Sequence, residues 1–136
     1  MELQELKFAG LANNIAEKEL GGAFGEDRDR HFMTELYQEF VAAGEPSDSK
    51  KWLRGRLSMA FRCAANRPEW LEKIPMWPFE NGRPMTFIAQ IDVPPGTVSQ
   101  ECLVPGARLY VFGARVPVDG GWEMKYRTIE QQSGLP

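Results

Sequence analysis

Trp77-Pro78-Phe79-Glu80-Asn81-Gly82-Arg83-Pro84-Met85-Thr86-Phe87-Ile88-Ala89-Gln90-Ile91-Asp92-Val93 is the stretch that decides the fold class. Asn81-Gly82 is the strongest short turn signal in the chain, because both residues tolerate the positive φ that a type I′ hairpin turn requires. Downstream of it, strand alternation puts Met85, Phe87, Ala89, Ile91 and Val93 on one side. Thr86, Ile88, Gln90 and Asp92 fall on the other. The first set is expected to enter the core, with Phe87 and Ile91 meeting Leu109 or Tyr110 of a neighbouring strand. Pro94-Pro95-Gly96 should stop the strand, since proline offers no ladder donor.

Two further strand candidates follow. Ala107–Ala114 is apolar on both faces (Leu109 and Val111 against Tyr110 and Phe112), which predicts a central strand. Asp119-Gly120-Gly121 turns into 122–130, where Trp122, Met124 and Tyr126 alternate with Glu123, Lys125 and Arg127, as in a sheet with one wet face. Before the hairpin, 74–79 is interrupted by Pro75 and Pro78 and can be no more than an edge strand.

The first half reads as helical. Phe8, Leu11, Ala12 and Ile15 share a face, predicting a helix over 10–20 that ends at Gly21-Gly22. Phe32, Met33, Leu36, Tyr37, Phe40 and Val41 form a wide apolar stripe, predicting a helix over 29–43 opened by Asp27 or Asp29. A third helix is expected over 49–65, started at Ser47, Asp48 or Ser49, with Leu53, Leu57, Ala60 and Ala64 in one arc. The fold class expected is therefore α+β in one domain, residues 1–136. Two or three N-terminal helices (1–67) pack on an antiparallel sheet of about four strands (68–136).

The net charge of −3 hides an asymmetry. Residues 1–48 carry 11 acids and 4 bases, residues 49–68 carry 6 bases and no acid, and residues 69–136 carry 8 acids and 6 bases. The basic helix 50–67, with Lys51 and Arg54, could contact phosphates. The simpler expectation is that Glu35 and Glu39 of the preceding helix answer it, since an acidic protein repels nucleic acid at long range. No apolar run approaches the roughly 18 residues of a membrane span. The opening residues, acidic where a signal peptide is basic, point to the cytoplasm. Cys63 and Cys102 are expected to be free buried thiols, with one disulfide as the alternative.

Catalytic signals are sparse. His31 is the only histidine and sits at a helix start, so a nucleophilic triad would have to be built on it. One His and two distant Cys do not make a usual zinc site, and no phosphate-cradling glycine loop occurs. No cofactor or metal is expected. Gln90 and Asp92 could form one wall of a polar pocket, although a solvated sheet face is the simpler reading. Trp52, Trp70, Trp77 and Trp122 are more simply read as core; Trp77 and Trp122 are the candidate binding residues, because any tryptophan that is exposed marks a protein interface.

Trp77-Pro78, Gly82-Arg83-Pro84-Met85, Phe87-Ile88-Ala89-Gln90-Ile91-Asp92, Gly106 with Leu109-Tyr110-Val111-Phe112, and Val118-Asp119-Gly120-Gly121-Trp122-Glu123 together resemble the YwqG-like family of bacterial proteins. The resemblance spans roughly residues 70–130 and implies a mainly antiparallel β core without implying an activity. It also implies an association with toxin-immunity cassettes. The functional expectation is a non-enzymatic protein-binding protein, in its narrower form an immunity protein that neutralises a toxin. The alternatives are a nucleic-acid-binding module on the basic helix and a small ligand-binding protein or hydrolase at Gln90 and Asp92. The sequence leaves the oligomeric state open.

Overall fold

The computed structural model describes residues 3–25, 29–93 and 106–132. Pro94-Pro95-Gly96, Asp27 and Cys102 lie outside them. Helix α1, Leu3–Ile15, buries Phe8, Ala12 and Ile15 and runs into a π-helical turn, Ala16–Leu20, that ends at Gly21 with φ 78°. Helix α2, Arg30–Ala42, buries Phe32, Met33, Leu36 and Phe40, the core of the expected stripe, while Val41 is exposed. Asp29 occupies its N-cap position, but the carboxylate accepts from the Gly25 amide rather than from the helix. Helix α3, Ser49–Ala60, is opened by Asp48, whose side chain accepts from the Lys51 amide at 3.1 Å.

The three helices meet at Phe8. Its ring lies 5.2 Å from Tyr37, 5.0 Å from Phe40 and 6.4 Å from Trp52, and Phe40 touches Trp52 in turn at 5.2 Å. Helices α2 and α3 touch each other through Phe40 and Trp52, and both also pack on α1. Helix α3 also stops earlier than 65. The Phe87 amide donates to the Arg62 carbonyl (2.9 Å) and the Ala64 amide to the Phe87 carbonyl (2.8 Å). A helix cannot continue through residues whose backbone is spent on a strand.

Asn81 (φ 52°) and Gly82 (φ 74°) are both left-handed, as a type I′ turn demands, and they join β1 (Phe79–Glu80) to β2 (Arg83–Pro84). Strands β3 (Thr86–Asp92), β4 (Ala107–Val118) and β5 (Gly121–Gln132) form a separate antiparallel sheet in the order β3-β4-β5, with β4 central as expected. The four-strand expectation thus resolves into a three-stranded sheet and a two-stranded hairpin. Of 74–79, only Met76, in an isolated bridge to Ala23, and Phe79 take part in pairing.

Two side-chain assignments reverse. The β3–β4 register slips at Ile88: Phe87 faces Phe112, but Ala89 faces Val111. This bulge inserts one residue and swaps the faces beyond it. Phe87 is buried while Ile91 is 53% exposed. Gln90 and Asp92 turn to the side of Tyr110 and Arg108, the inner side, not the side of Thr86 and Ile88. On β5 the register places Arg127 opposite buried Phe112 and Lys125 opposite Ala114. The charged set therefore turns inward, and Trp122, Met124 and Tyr126 turn out.

One continuous core joins helices to sheet. Phe61 packs on Phe24 (5.2 Å), Phe32 (6.2 Å), Phe79 (6.0 Å) and Trp77 (5.4 Å), and Trp77 packs on Phe112 (5.0 Å). The Trp77 indole donates to the Met85 carbonyl at 2.8 Å.

Two substitutions test this packing by thermal or denaturant unfolding. Phe87→Ala should cost about 3–5 kcal/mol, through transfer loss and cavity, whereas Ile91→Ala should cost less than about 1 kcal/mol. Equal losses would place Ile91 in the core and refute the bulge. A Cβ on Gly22 would overlap the Trp77 ring. Gly22→Ala should therefore destabilise by roughly 1–3 kcal/mol, and a neutral result would mean that Trp77 is not seated there.

Candidate functional site

The bulge at Ile88 also builds a surface. Ile88 lands over Gly113 on the outer face of the sheet, where a Cβ at Gly113 would lie 2.7 Å from Ile88 Cδ1, 3.3 Å from Met124 Cε and 3.4 Å from Tyr126 Cδ1. Gly113 lets the three side chains close over it, and a Cβ there would require Ile88 to shift. Trp122 (69% exposed), Met124 (44%) and Tyr126 (61%) continue this patch as a stripe along β5.

Beside the patch lies a cleft of about 530 Å³, lined by Arg62, Arg83 and Arg115 together with Glu80, Asn81, Ile88 and Met124. Each arginine comes from a different element: the segment after α3, the tip of the β1–β2 hairpin and β4. Glu80 is not free to neutralise them, because Lys125 Nζ and Arg127 Nη2 each hold one of its oxygens at 3.1 Å. Arg62, Arg83 and Arg115 form no ion pair with a carboxylate among the described residues. Arg115 instead stands over the Trp122 ring, 5.1 Å from its centroid. A planar guanidinium presents paired N–H donors that match a carboxylate or phosphate. The arrangement can therefore hold an anionic group next to an aromatic and aliphatic anchor.

The residues singled out in the sequence scatter. Trp122 belongs to this surface. Trp77 is fully buried and is a core residue, not a contact residue. Gln90 and Asp92 do not form a pocket. Gln90 Oε1 accepts from the Glu69 amide (2.9 Å), and Asp92 accepts from Arg108 Nε (2.6 Å) while Arg108 donates to the Glu69 carbonyl (2.8 Å). Tyr110 and buried Gln131 bind the same segment, through Glu69, Leu71, Glu72 and Lys73. These polar side chains clamp residues 69–73 to the inner face. Burial raises the Tyr110 pKa, so its hydroxyl stays protonated and keeps donating.

On α3, Arg54 is held by Glu19 of the π-helical turn at 2.9 Å, and Arg56 by Glu39 at 2.6 Å. Glu39 thus answers the basic helix as expected, while Glu35 pairs with His31 at 3.0 Å. Lys51 lines a shallow groove with Trp52 and exposed Met59, away from the arginine cleft. Burial pushes the Cys63 thiol up despite Arg67 beside it, the opposite of what a nucleophile needs. No group of three or more metal-ligating side chains occurs among the described residues, and none of their helices is long and apolar enough to cross a membrane.

The sequence reading missed Arg62, Arg83 and Arg115 as a set because they are 21 and 32 residues apart. Only the absence of an acid near Arg115 in β4 hinted at a role. Comparison with protein-family models, with curated proteins and with solved structures finds no match for this chain.

Lys125, first by its hydrogen bond and then with Arg127 by charge, holds the Glu80 carboxyl below the ordinary glutamate value of about 4.3. The unfolded chain therefore takes up this proton at a higher pH than the folded one. The pair's contribution is full above the ordinary glutamate pKa and is lost as pH falls through the lowered folded value. Glu80→Gln should melt lower than wild type at pH 6–8, with the gap closing toward pH 3. A gap independent of pH would mean that the ion pairs do not form.

Proposed function

We propose that this protein is a non-enzymatic protein-binding protein. Its contact surface is the outer sheet face at Trp122, Met124 and Tyr126, together with the arginine cleft beside it. The observation that carries this reading is the juxtaposition of Arg62, Arg83 and Arg115, none answered by a described carboxylate, with a stripe of exposed large apolar side chains. Tryptophan, tyrosine and arginine are the residue types that dominate protein-interface energetics. The partner segment that fits presents one or more carboxylates flanking an aromatic or aliphatic side chain. The narrower form, in which the partner is a toxin neutralised by this chain, rests on the resemblance to the YwqG-like family.

The reading is tested by selecting peptides from a random displayed library on the immobilised protein. Enriched peptides should combine Asp or Glu with an aromatic or aliphatic residue. Arg115→Glu with Trp122→Ala should weaken their binding by at least about tenfold, or about 1.4 kcal/mol, at unchanged melting temperature. Selected peptides without acids, indifferent to both substitutions, would remove the proposal. Single-stranded oligonucleotide binding that collapses steeply with salt, with no peptide selected, would favour the nucleic-acid reading, since Arg115 over Trp122 could also receive a base. The toxin form is tested by co-expression with the product of the adjacent gene, where it predicts a complex and protection from its toxicity.

A further inference from the structure

Among the described residues, the β3 edge of the sheet is paired at Phe87 and the β5 edge is met by no strand. At β3, Phe87 gives both its backbone groups to Arg62 and Ala64. At β5 no described strand pairs on the side away from β4. On that side the Gln132 amide donates to Glu72, while Gln131, Lys125 and Arg127 reach Leu71 and Glu80 by their side chains on the inner face. Pro117 of β4 stands opposite Trp122. Proline has no N–H to give, so this is a position at which the facing backbones point apart. By alternation, the N–H and C=O groups of Trp122, Met124 and Tyr126 point to the bare edge. A long exposed edge carrying large apolar side chains is a template for another strand.

We propose that β5 pairs antiparallel with β5 of a second copy of this chain, about a two-fold axis through Met124, joining the two sheets into one of twice the width. The charges favour this register over those centred on its neighbours Glu123, Lys125 and Tyr126. With Met124 on the axis, Glu123 faces the partner's Lys125 and Lys125 faces the partner's Glu123, while Trp122 faces the partner's Tyr126. Moving the axis to Glu123 or to Lys125 puts identical charges opposite each other, and moving it to Tyr126 puts Lys125 against the partner's Arg127. Glu123 and Lys125 turn their own backbone groups toward β4, so across the new pairing they are a non-hydrogen-bonded pair, whose Cα atoms approach to about 4.5 Å. Lys125 reaches both carboxylates, because its ammonium carries three donors and Glu80 uses one of them. The pairing runs through the backbone edge and does not depend on any occupant of the arginine cleft.

Sedimentation of the full chain over a range of micromolar concentrations at low salt tests the pairing. A concentration-dependent dimer is expected. Glu123→Lys or Lys125→Glu alone turns two attracting facing pairs into repelling ones and should weaken the dimer roughly ten- to hundredfold. The double reversal should restore it to within about threefold of wild type. A chain monomeric throughout, a dimer indifferent to the single reversals, or a double reversal that restores nothing would each overturn the proposal. Amide hydrogen exchange on the unaltered chain gives a second measurement, should a variant fail to fold. The Trp122, Met124 and Tyr126 amides should gain protection as concentration rises, and fast exchange of these amides at every concentration would also overturn it.

Discussion

Trp77 is the side chain on which the two halves of the chain depend. Its ring is wedged between Phe61, the first residue past α3, and Phe112 of the central strand, and its indole N–H is satisfied by the Met85 carbonyl. Gly22 must stay a glycine to admit it. The Ala23 carbonyl accepts from the Trp77 amide at 2.8 Å, which ties the end of the first helical segment to the entry of the hairpin. The helical half contributes Phe24, Phe32 and Phe61, and the β half contributes Phe79, Phe87 and Phe112. Because rings interdigitate at interior density, none of these elements could shift without opening a void at Trp77.

The second constraint is the single inserted residue at Ile88. It lets β3 bury Phe87 at one end and present Gln90 and Asp92 to the same inner side further on, where they clamp residues 69–73. It also throws Ile88 onto the outer face, over Gly113, and so founds the exposed apolar patch. A latch on one face and an exposed apolar patch on the other are thus two consequences of one bulge. Bulges are known to re-aim side chains in this way near functional surfaces.

Charge is distributed with a similar division. The basic helix that dominates the linear charge pattern is partly neutralised, Arg54 by Glu19 and Arg56 by Glu39. Exposed pairs of this kind contribute only about 0–1 kcal/mol each, so they orient the helices rather than hold them. Arg62, Arg83 and Arg115 line one cleft beside the hairpin, where Glu80 is already shared by Lys125 and Arg127. That local excess of positive charge gives the cleft its chemical character on an otherwise acidic protein.

The sequence by itself determined the elements whose causes are local. Asn81-Gly82 specified its turn because few residue pairs accept two successive positive φ values. The stripe from Phe32 to Phe40 specified α2, Gly21 ended the first helical segment, and the two-faced apolarity of Ala107–Ala114 put β4 in the middle. Which way strand side chains point was decided only in three dimensions. Alternation along β5 is the same whether its apolar or its charged set takes the inner side, and the choice was made by Phe112 and the β4–β5 register. Likewise no local signal marks Ile88 as an inserted residue. It is the demand that both Phe87 and the 69–73 clamp be served from one strand that places it there. The arginine cleft was illegible for the same reason. Arg62, Arg83 and Arg115 become neighbours only after Trp77 has drawn the helices, the hairpin and the sheet onto one core.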